Sequence, residues 1–159
     1  MNKTYLLLGS NMGNSRQQLA QAIKLIKKNT GRLLRQSSVY KTAAWGNANQ
    51  PDFLNQVVVV GTKLTSEATI KSILAIEKEM GRVRTVKNAP RVIDIDILFF
   101  NKDIIKAPNL IVPHPEIQNR RFVLIPMNEL SPNFKHPVFQ QSIHQLLKNC
   151  KDVLDVKKF

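Results

Sequence analysis

The strand around which this chain is organised lies within Asn88-Ala89-Pro90-Arg91-Val92-Ile93-Asp94-Ile95-Asp96-Ile97-Leu98-Phe99. After the proline, apolar side chains occupy every second position, at Ile93, Ile95, Ile97 and Phe99. This period of two, together with the β-branched side chains, is typical of a β-strand. We therefore expect one face of the strand, formed by these four residues, to pack on a hydrophobic core.

The opposite face of the same strand carries two carboxylates, Asp94 and Asp96. Positions two residues apart on a strand are separated by about 6.5–7 Å, so the two groups can converge on one divalent ion or on a pair of ions. Arg91 lies just upstream, as a phosphate-binding group would. The alternative interpretation is an amphipathic strand with a solvated acidic face. Repulsion between two like charges on one face favours a bound cation instead.

The chain as a whole is strongly basic. Its 159 residues are 43% hydrophobic and 22% charged, which is ordinary for one globular domain, but the net charge is +13 and the isoelectric point is near 10.2. This charge indicates an anionic partner, such as a nucleic acid, an acidic membrane surface or a phosphorylated small molecule. A basic surface that serves solubility alone is the alternative.

Cysteine usage and the N-terminus indicate an intracellular setting. Cys150 is the single cysteine, which excludes an internal disulfide and a zinc site built from cysteines. The apolar run at residues 5–8 is too short for a signal peptide or a membrane span. We expect a cytoplasmic enzyme or binding domain that fills the whole range 1–159.

The order of predicted elements indicates the fold. They are a strand over 5–8, a helix capped by Asn14 or Ser15, a strand over 33–40, a strand over 53–60, a helix capped by Thr65 or Ser66, and the acidic strand. A short helix over 140–149 and a charged tail follow. The run Val57 to Val60 predicts burial on both faces. The order βαββαβ predicts an α+β, ferredoxin-like domain: helices on an antiparallel sheet, with C-terminal additions.

Two loops separate these elements, and one of them suits phosphate binding. The loop at 42–52 is polar and holds the only tryptophan, Trp45. The loop at 82–91 is basic, and Arg82, Arg84 and Arg91 offer planar guanidinium groups that match phosphate oxygens. No phosphate-cradling glycine motif of the P-loop or dinucleotide-binding type is present in the sequence. An ATP site would therefore use side chains and metal ions.

Three further residues suit ligand binding. His114 lies between two prolines and could donate to a phosphate, although a surface-loop histidine is equally consistent with the sequence. Asn55 follows Phe53 by two residues, so both share one face of a strand. An aromatic ring and an amide together suit a flat heterocycle, whereas a phenylalanine is more often a core residue.

Six stretches together resemble the family of 6-hydroxymethyl-7,8-dihydropterin pyrophosphokinase, an enzyme of folate biosynthesis. They appear in the family's order and span most of the chain: Leu8-Gly9-Ser10-Asn11-Met12-Gly13, Ser38-Val39-Tyr40-Lys41-Thr42 leading to Gln50-Pro51-Asp52-Phe53-Leu54-Asn55, Glu77-Lys78-Glu79-Met80-Gly81-Arg82-Val83-Arg84, Pro90-Arg91-Val92-Ile93-Asp94-Ile95-Asp96-Ile97-Leu98, Val112-Pro113-His114-Pro115, and Arg121-Phe122-Val123-Leu124-Ile125-Pro126.

The resemblance implies a reaction and a set of roles. ATP would donate its β,γ-pyrophosphoryl group to the hydroxymethyl oxygen of the pterin and leave as AMP. The implied catalytic residues are Arg82, Arg91, Asp94 and Asp96, with both aspartates holding two Mg²⁺ ions. The implied ATP-binding residues are Glu77, Arg84, Arg91, Ile97, Leu110, Ile111, His114 and Arg120. The implied pterin-binding residues are Thr42, Ala43, Ala44, Trp45, Gly46, Phe53, Asn55, Asp94 and Phe122.

The resemblance also implies the partners. We expect ATP and the pterin as small-molecule substrates, a monomer, and neither a nucleic acid nor a membrane partner. A basic RNA-binding module of the same ferredoxin-like topology is the alternative, because RNA-binding domains share this arrangement. Aromatic residues make up only 6% of the chain, and two neighbouring aspartates would repel phosphates in the absence of metal. A purely structural domain would bind neither ATP nor RNA.

Overall fold

The computed structural model of the chain describes residues 1–43, 51–81 and 92–159. Within these ranges the strands are β1 (Asn2–Ser10), β2 (Arg32–Gln36), β3 (Tyr40–Thr42), β4 (Phe53–Thr62), β5 (Asp94–Phe100), β6 (Ile105–Ala107), β7 (Leu110–Val112) and β8 (Val156–Lys158). The helices are α1 (Ser15–Asn29), α2 (Ser66–Glu79), α3 (Arg121–Leu130) and α4 (Ile143–Asn149), with a 3-10 turn at Ile117–Asn119.

One antiparallel sheet forms the centre of the fold. Its strands lie in the order β5-β1-β4-β3-β8, with β2 also paired to β4, while β6 and β7 form a separate hairpin. The connection order and the two crossing helices match the βαββαβ arrangement predicted from the sequence. The ferredoxin-like α+β prediction is therefore confirmed for the described residues.

Two hydrophobic cores lie on opposite faces of this sheet. Helices α1 and α2 cover one face, where Leu19 and Ile73 pack against Val58 and Val60 of β4. Helices α3 and α4 cover the other face; its buried residues include Val57, Val59, Leu124 and Ile143. Val57 to Val60 are all fully buried, as the valine run predicted. The C-terminal additions thus supply the second layer of helices.

Local signals fix the ends of α1 and α2. The Asn14 side chain accepts from the Gln17 amide, and the Thr65 side chain accepts from the Ala68 amide, so each helix has the N-cap that the sequence predicted. Gly81, with φ of +88°, follows the end of α2. Glycine adopts this left-handed conformation without steric cost, which explains the helix end.

The structure differs from the predicted elements in four places. The strand expected over 33–40 is two strands, because residues 37–39 leave the ladder. Helix α3 was not predicted. The last helix starts at Ile143, where Ser142 provides the cap. The charged tail contains β8, which pairs with β3 at the sheet edge.

A bulge in β5 corrects the face assigned to Phe99. The pairing of β1 with β5 shifts register between Tyr5 and Leu6, which face Phe99 and Ile97. Leu98 is the extra residue, so Phe99 packs in the core beneath α3 and Phe100 in the core beneath α1 and α2. Ile93, Ile95 and Ile97 face the latter core, as predicted. None of the described helices is both long and apolar enough to cross a membrane.

Candidate active site

Three adjacent strands, β5, β1 and β4, place predicted site residues at one end of the sheet. Gly9 of β1 lies opposite Asn55 of β4 on one side and opposite Asp94 of β5 on the other. Leu7, two residues earlier, lies opposite Asp96. Because side chains two residues apart share a face, these groups point to the same side of the sheet. That side is also the one covered by α3.

A pocket opens where this face of the sheet meets the start of α3. It encloses about 560 Å³ of empty space, including the solvent at its mouth. Its lining combines carboxylates, aromatic rings, an amide and a guanidinium, contributed by Leu7, Gly9, Thr42, Ala43, Phe53, Asn55, Asp94, Asp96, Arg120 and Phe122. The structure therefore brings together eight residues that the sequence assigned to the pterin, to ATP or to the metal.

The two aspartates have the environment of a cation site. Asp94 and Asp96 are both half-buried on the pocket side of β5. Further along this face, Leu98 belongs to the core beneath α3, so the acidic end is not a simple solvated surface. No group of three or more His, Cys, Asp or Glu side chains that could hold a metal occurs among the described residues.

Among the described residues, this pair of carboxylates is a donor set that fits Mg²⁺ better than a transition metal. Magnesium takes oxygen ligands and is commonly bound by one or two carboxylates, with the remaining positions filled by water and substrate phosphates. Asp94 and Asp96 supply that donor set. The chemistry of the site thus supports a metal that is shared between protein and a phosphorylated substrate.

Glu77 supports the acidic strand from behind. It lies near the end of α2, is only 2% exposed, and accepts a hydrogen bond from the Ile95 amide at 2.7 Å. Ile95 separates the two aspartates, so this bond fixes β5 at the point where the site is built. In the described structure Glu77 acts on the backbone of the site and does not line the pocket.

His114 is held as a neutral hydrogen-bond donor. Its amide donates to the Leu98 carbonyl at 3.0 Å, and its Nδ1 accepts from the Glu116 amide at 3.1 Å. Burial is the main cause that lowers the pKa of His114 to about 4, and the charge of Arg120 contributes in the same direction. At neutral pH the proton of the ring is therefore on Nε2, which can donate to an anionic ligand.

Two aromatic rings line the pocket together with buried polar groups. Phe53 begins β4, and Phe122 lies in the first turn of α3, with the Arg120 guanidinium 5.7 Å from its ring centre. Asn55 is 3% exposed and Thr42 is 3% exposed. Neither Asn55 Nδ2 nor Thr42 Oγ1 has a hydrogen-bond partner within the described ranges. A buried polar group without a partner is costly, so both atoms suit a polar ligand in the pocket.

Gly9 makes room for these groups. A Cβ atom at this position would lie 3.0 Å from Asn55 Oδ1 and 3.7 Å from a ring carbon of Phe53. The first separation is shorter than ordinary van der Waals contact, so any larger residue would displace the amide. The absent side chain thus keeps the floor of the pocket open.

Sequence reasoning did not assign Leu7 to the pocket. Leu7 is one member of an apolar run, and its residue type gives no signal of a ligand contact. Its role follows from the pairing with Asp96, which the sequence of β1 does not reveal. Gly9 was noted only within a resembling motif, and its close approach to Asn55 is a product of the sheet register.

Three residues assigned to ATP lie away from the described pocket. Ile97 is 4% exposed and Leu110 is 8% exposed, and both belong to the core beneath α1 and α2. Ile111, by contrast, is 51% exposed on β7. The remaining assigned residues lie outside the described ranges; they are Ala44, Trp45, Gly46, Arg82, Arg84 and Arg91.

Comparison with known families decides between the predicted alternatives. Residues 5–132 match the family described as 7,8-dihydro-6-hydroxymethylpterin-pyrophosphokinase, or HPPK. The chain belongs to this family. Membership confirms the predicted pyrophosphokinase family, and the RNA-binding alternative is not supported.

Relatives of similar length carry the same activity in their names. The 2-amino-4-hydroxy-6-hydroxymethyldihydropteridine pyrophosphokinase of Aquifex aeolicus is 37% identical over 145 residues, which are 91% of this HPPK chain and 90% of that protein. The Bacillus subtilis protein of the same name is 39% identical over 130 residues, 81% and 78% of the two chains.

Longer relatives contain the HPPK region as one part. The folic acid synthesis protein FOL1 of Dictyostelium discoideum is 37% identical over 148 residues, covering 93% of this chain and 22% of that protein. The chain thus spans about a fifth of the length of the folic acid synthesis proteins it matches.

Solved structures share the fold of this HPPK chain. A crystal structure of Plasmodium falciparum HPPK-DHPS aligns with a TM-score of 0.78 and 20% identity, over 92% of this chain and 45% of that one. An HPPK-DHPS complex with substrates aligns with a TM-score of 0.74 and 19% identity, over 92% and 43%. At this identity the alignments establish the fold.

Proposed function

We propose that this chain transfers the β,γ-pyrophosphoryl group of ATP to 6-hydroxymethyl-7,8-dihydropterin. The hydroxymethyl oxygen attacks the β-phosphorus and loses its proton, the bond from that phosphorus to the α,β-bridging oxygen breaks, and AMP leaves. The observation that carries this proposal is one pocket in which two carboxylates lie beside two aromatic rings and a buried amide nitrogen that has no hydrogen-bond partner among the described residues.

Asp94 and Asp96 would hold the metal. Mg²⁺ bound there supplies positive charge to the triphosphate, and two ions are proposed because two carboxylates and a triphosphate offer enough oxygen ligands. The two aspartates lie at the start of β5 and would hold the ions there, in the same pocket as Phe53 and Phe122. The proposed metal ligands and the aromatic rings thereby line the same pocket.

Cationic and neutral donors would bind the phosphates. Arg120 lines the pocket, and His114 is a neutral Nε2–H donor at pH 7. A neutral histidine with Nδ1 already occupied does not serve as a base, so we assign it to phosphate binding. Arg82 and Arg91, from the basic loop, are proposed to stabilise the charge that develops on the transferred group. Glu77 and Arg84 are proposed to help seat the nucleotide.

The aromatic side of the pocket would bind the pterin. Phe53 and Phe122 provide stacking surfaces, while Asn55 and Thr42 offer buried polar atoms for the edge of the ring. Ala43, together with the loop residues Ala44, Trp45 and Gly46, is proposed to complete this side. Ile97, Leu110 and Ile111 are proposed to contact the adenine. Closure of the loops over both ligands would exclude water, which competes as an acceptor.

Product analysis tests the reaction. Purified protein is incubated with ATP, Mg²⁺ and 6-hydroxymethyl-7,8-dihydropterin, and the nucleotide products are separated. We expect AMP in amounts equal to the pterin diphosphate, and none when either the pterin or the metal is omitted. ADP as the product would overturn the assignment of pyrophosphoryl transfer.

The domain organisation, the oligomeric state and the location of the protein are also proposals. We propose that residues 1–159 form one domain, that it acts as a monomer in the cytoplasm, and that its ligands are small molecules. The support is that residues of β1, β3, β4, β5 and α3 line one pocket, and all of them belong to the same chain. Light scattering of the purified protein tests the monomer, since a mass near twice 18.1 kDa would exclude it.

A further inference from the structure

The start of α3 is capped by a residue from a distant part of the chain. Arg120 occupies the N-cap position, and its own side chain makes no capping hydrogen bond. Instead, the Arg121 amide donates to Asp152 Oδ2 at 3.0 Å. The first amides of a helix have no partner within the helix, and a carboxylate at that end stabilises it through hydrogen bonding and charge.

Asp152 is itself held in place by the C-terminal tail. Its other oxygen, Oδ1, accepts from the Leu154 amide at 3.0 Å, and the residue is half-buried. Two residues further along, β8 begins and pairs with β3, with Val156 opposite Thr42. The hydrogen bond from Leu154 and the pairing of β8 with β3 therefore both hold the carboxylate in position next to α3.

The residues on either side of the capped amide are pocket residues. Arg120 and Phe122 flank Arg121, and both line the pocket. The tail also pairs with β3 at Thr42, which lines the opposite part of the same pocket. A second link joins these parts, because the Tyr40 hydroxyl of β3 donates to Glu129 of α3 at 2.6 Å.

We propose that Asp152 is a positioning residue for the active site. It fixes the first turn of α3, so that Arg120 and Phe122 keep the arrangement that binds substrate. Asp152 is not among the described residues that line the pocket. The assignment of Phe122 to the pterin rests on the proposed function, whereas the effect of Asp152 on α3 does not.

The test compares two aspartates of the tail. Asp152→Ala removes the cap. Asp155→Ala is the matched control, because Asp155 has the same charge, lies three residues away, and contacts Lys157 at 3.1 Å on the exposed surface. The probes are 6-hydroxymethyl-7,8-dihydropterin and the α,β-methylene analogue of ATP, which blocks transfer. Binding is measured by calorimetry well below the melting temperature of each variant, so that lost stability alone leaves Kd unchanged.

We expect Asp152→Ala to weaken pterin binding by about fivefold, the factor that loss of a typical helix cap corresponds to. Asp155→Ala is expected to bind as the wild type does. Asp152→Asn keeps an oxygen that can accept from the Arg121 amide, so we expect it to recover most of the lost affinity. Amide hydrogen exchange of Arg121 and Phe122 should accelerate in the alanine variant and remain slow in the control.

Three outcomes would overturn the proposal. They are wild-type pterin affinity in Asp152→Ala, equal losses in both alanine variants, and unchanged exchange at Arg121 and Phe122. If Asp152→Ala does not fold, the comparison of Asp152→Glu, whose longer side chain displaces the carboxylate from the Arg121 amide, with Asp155→Glu replaces it, and equal pterin affinities there would reject the role. A wild-type protein that binds no pterin would instead reject the proposed function, and the exchange data would still decide whether Asp152 fixes α3.

Discussion

The carboxylate of Glu77 accepts a hydrogen bond from the backbone amide of Ile95 across 2.7 Å in the interior of the protein. Ile95 is the residue between Asp94 and Asp96, so α2 is bonded to β5 between the two carboxylates that we propose as metal ligands. The bond joins a helix on one face of the sheet to a site on the other. Glu77, which is not among the described residues that line the pocket, thereby helps to fix the backbone that carries Asp94 and Asp96.

We predict that Glu77→Ala lowers the free energy of unfolding by about 1–3 kcal/mol, because it leaves the buried Ile95 amide without its acceptor. Glu77→Gln should lose less, since the amide oxygen can replace the carboxylate. Denaturant unfolding measures both variants. Equal losses in the two variants would argue against the hydrogen bond as the cause.

We predict that Asp96→Ala reduces turnover by at least about 10³-fold, because metal-dependent charge stabilisation contributes several kcal/mol to such reactions. The fold should remain intact, which circular dichroism checks. Asp103→Ala is the matched control: it removes an exposed carboxylate in the turn after β5 and should keep normal turnover. Rates near the wild type in Asp96→Ala would contradict the metal assignment.

We predict that Phe53→Ala weakens pterin binding by about 5- to 100-fold, the range that aromatic stacking of a heterocycle corresponds to. Binding of ATP should change far less, because the lost surface faces one ligand. Calorimetry with each ligand measures the two effects. Phe159→Ala, which removes a ring that is 60% exposed, serves as the control. Equal losses for both ligands would reject the stacking role.

We predict that His114 makes the folded state less stable at acidic pH. Burial lowers its pKa in the folded protein to about 4 from an ordinary value of 6.5. Between these two pH values the unfolded chain binds the proton more strongly, so the free energy of unfolding falls as the pH falls from about 6.5 to about 4. Above this range His114 is neutral in both states and has no such effect.

The measurement for His114 is the pH dependence of denaturant unfolding in the wild type and in His114→Gln. The variant should show a shallower decline over this range. Part of the decline should remain, because burial also lowers the pKa of His136. A slope identical to that of the wild type would show that His114 is not responsible.

Much of the fold follows from local patterns in the sequence. The alternation of isoleucine and aspartate identified β5 and both of its faces, and the caps at Asn14 and Thr65 identified the starts of two helices. These features depend on neighbours within a few residues. The bulge at Leu98 does not, since it arises from the pairing of β5 with β1.

The two elements that the sequence did not predict depend on contacts that local patterns do not show. One contains a proline whose lost hydrogen bond is offset by burial, and the other pairs with a distant strand. Pro126 lies inside α3, where burial of apolar residues such as Leu124 and Met127 offsets the hydrogen bond that proline cannot donate. The strand β8 is short, charged and largely exposed, and its conformation comes from pairing with β3 more than 100 residues earlier.

Site residues could be predicted from the sequence where the side chain itself has a functional group typical of ligand binding. Aspartate, asparagine and phenylalanine at Asp94, Asn55 and Phe53 are distinctive in their positions, and all three line the pocket. Leu7 lacks such a mark, and Asp152 acts through a helix to which it is joined only in the folded state. Residues that support a site from behind carry no ligand chemistry of their own.

The central strand β4 has a consequence for how this protein melts. Val57 and Val59 belong to one core, and Val58 and Val60 belong to the other. Because both cores contain side chains of β4, displacement of this strand would remove packing contacts from both cores at once. Unfolding should therefore be a single cooperative transition. Since Phe53 and Asn55 lie on the same strand, a bound ligand should raise the midpoint of that whole transition rather than protect one end of the molecule.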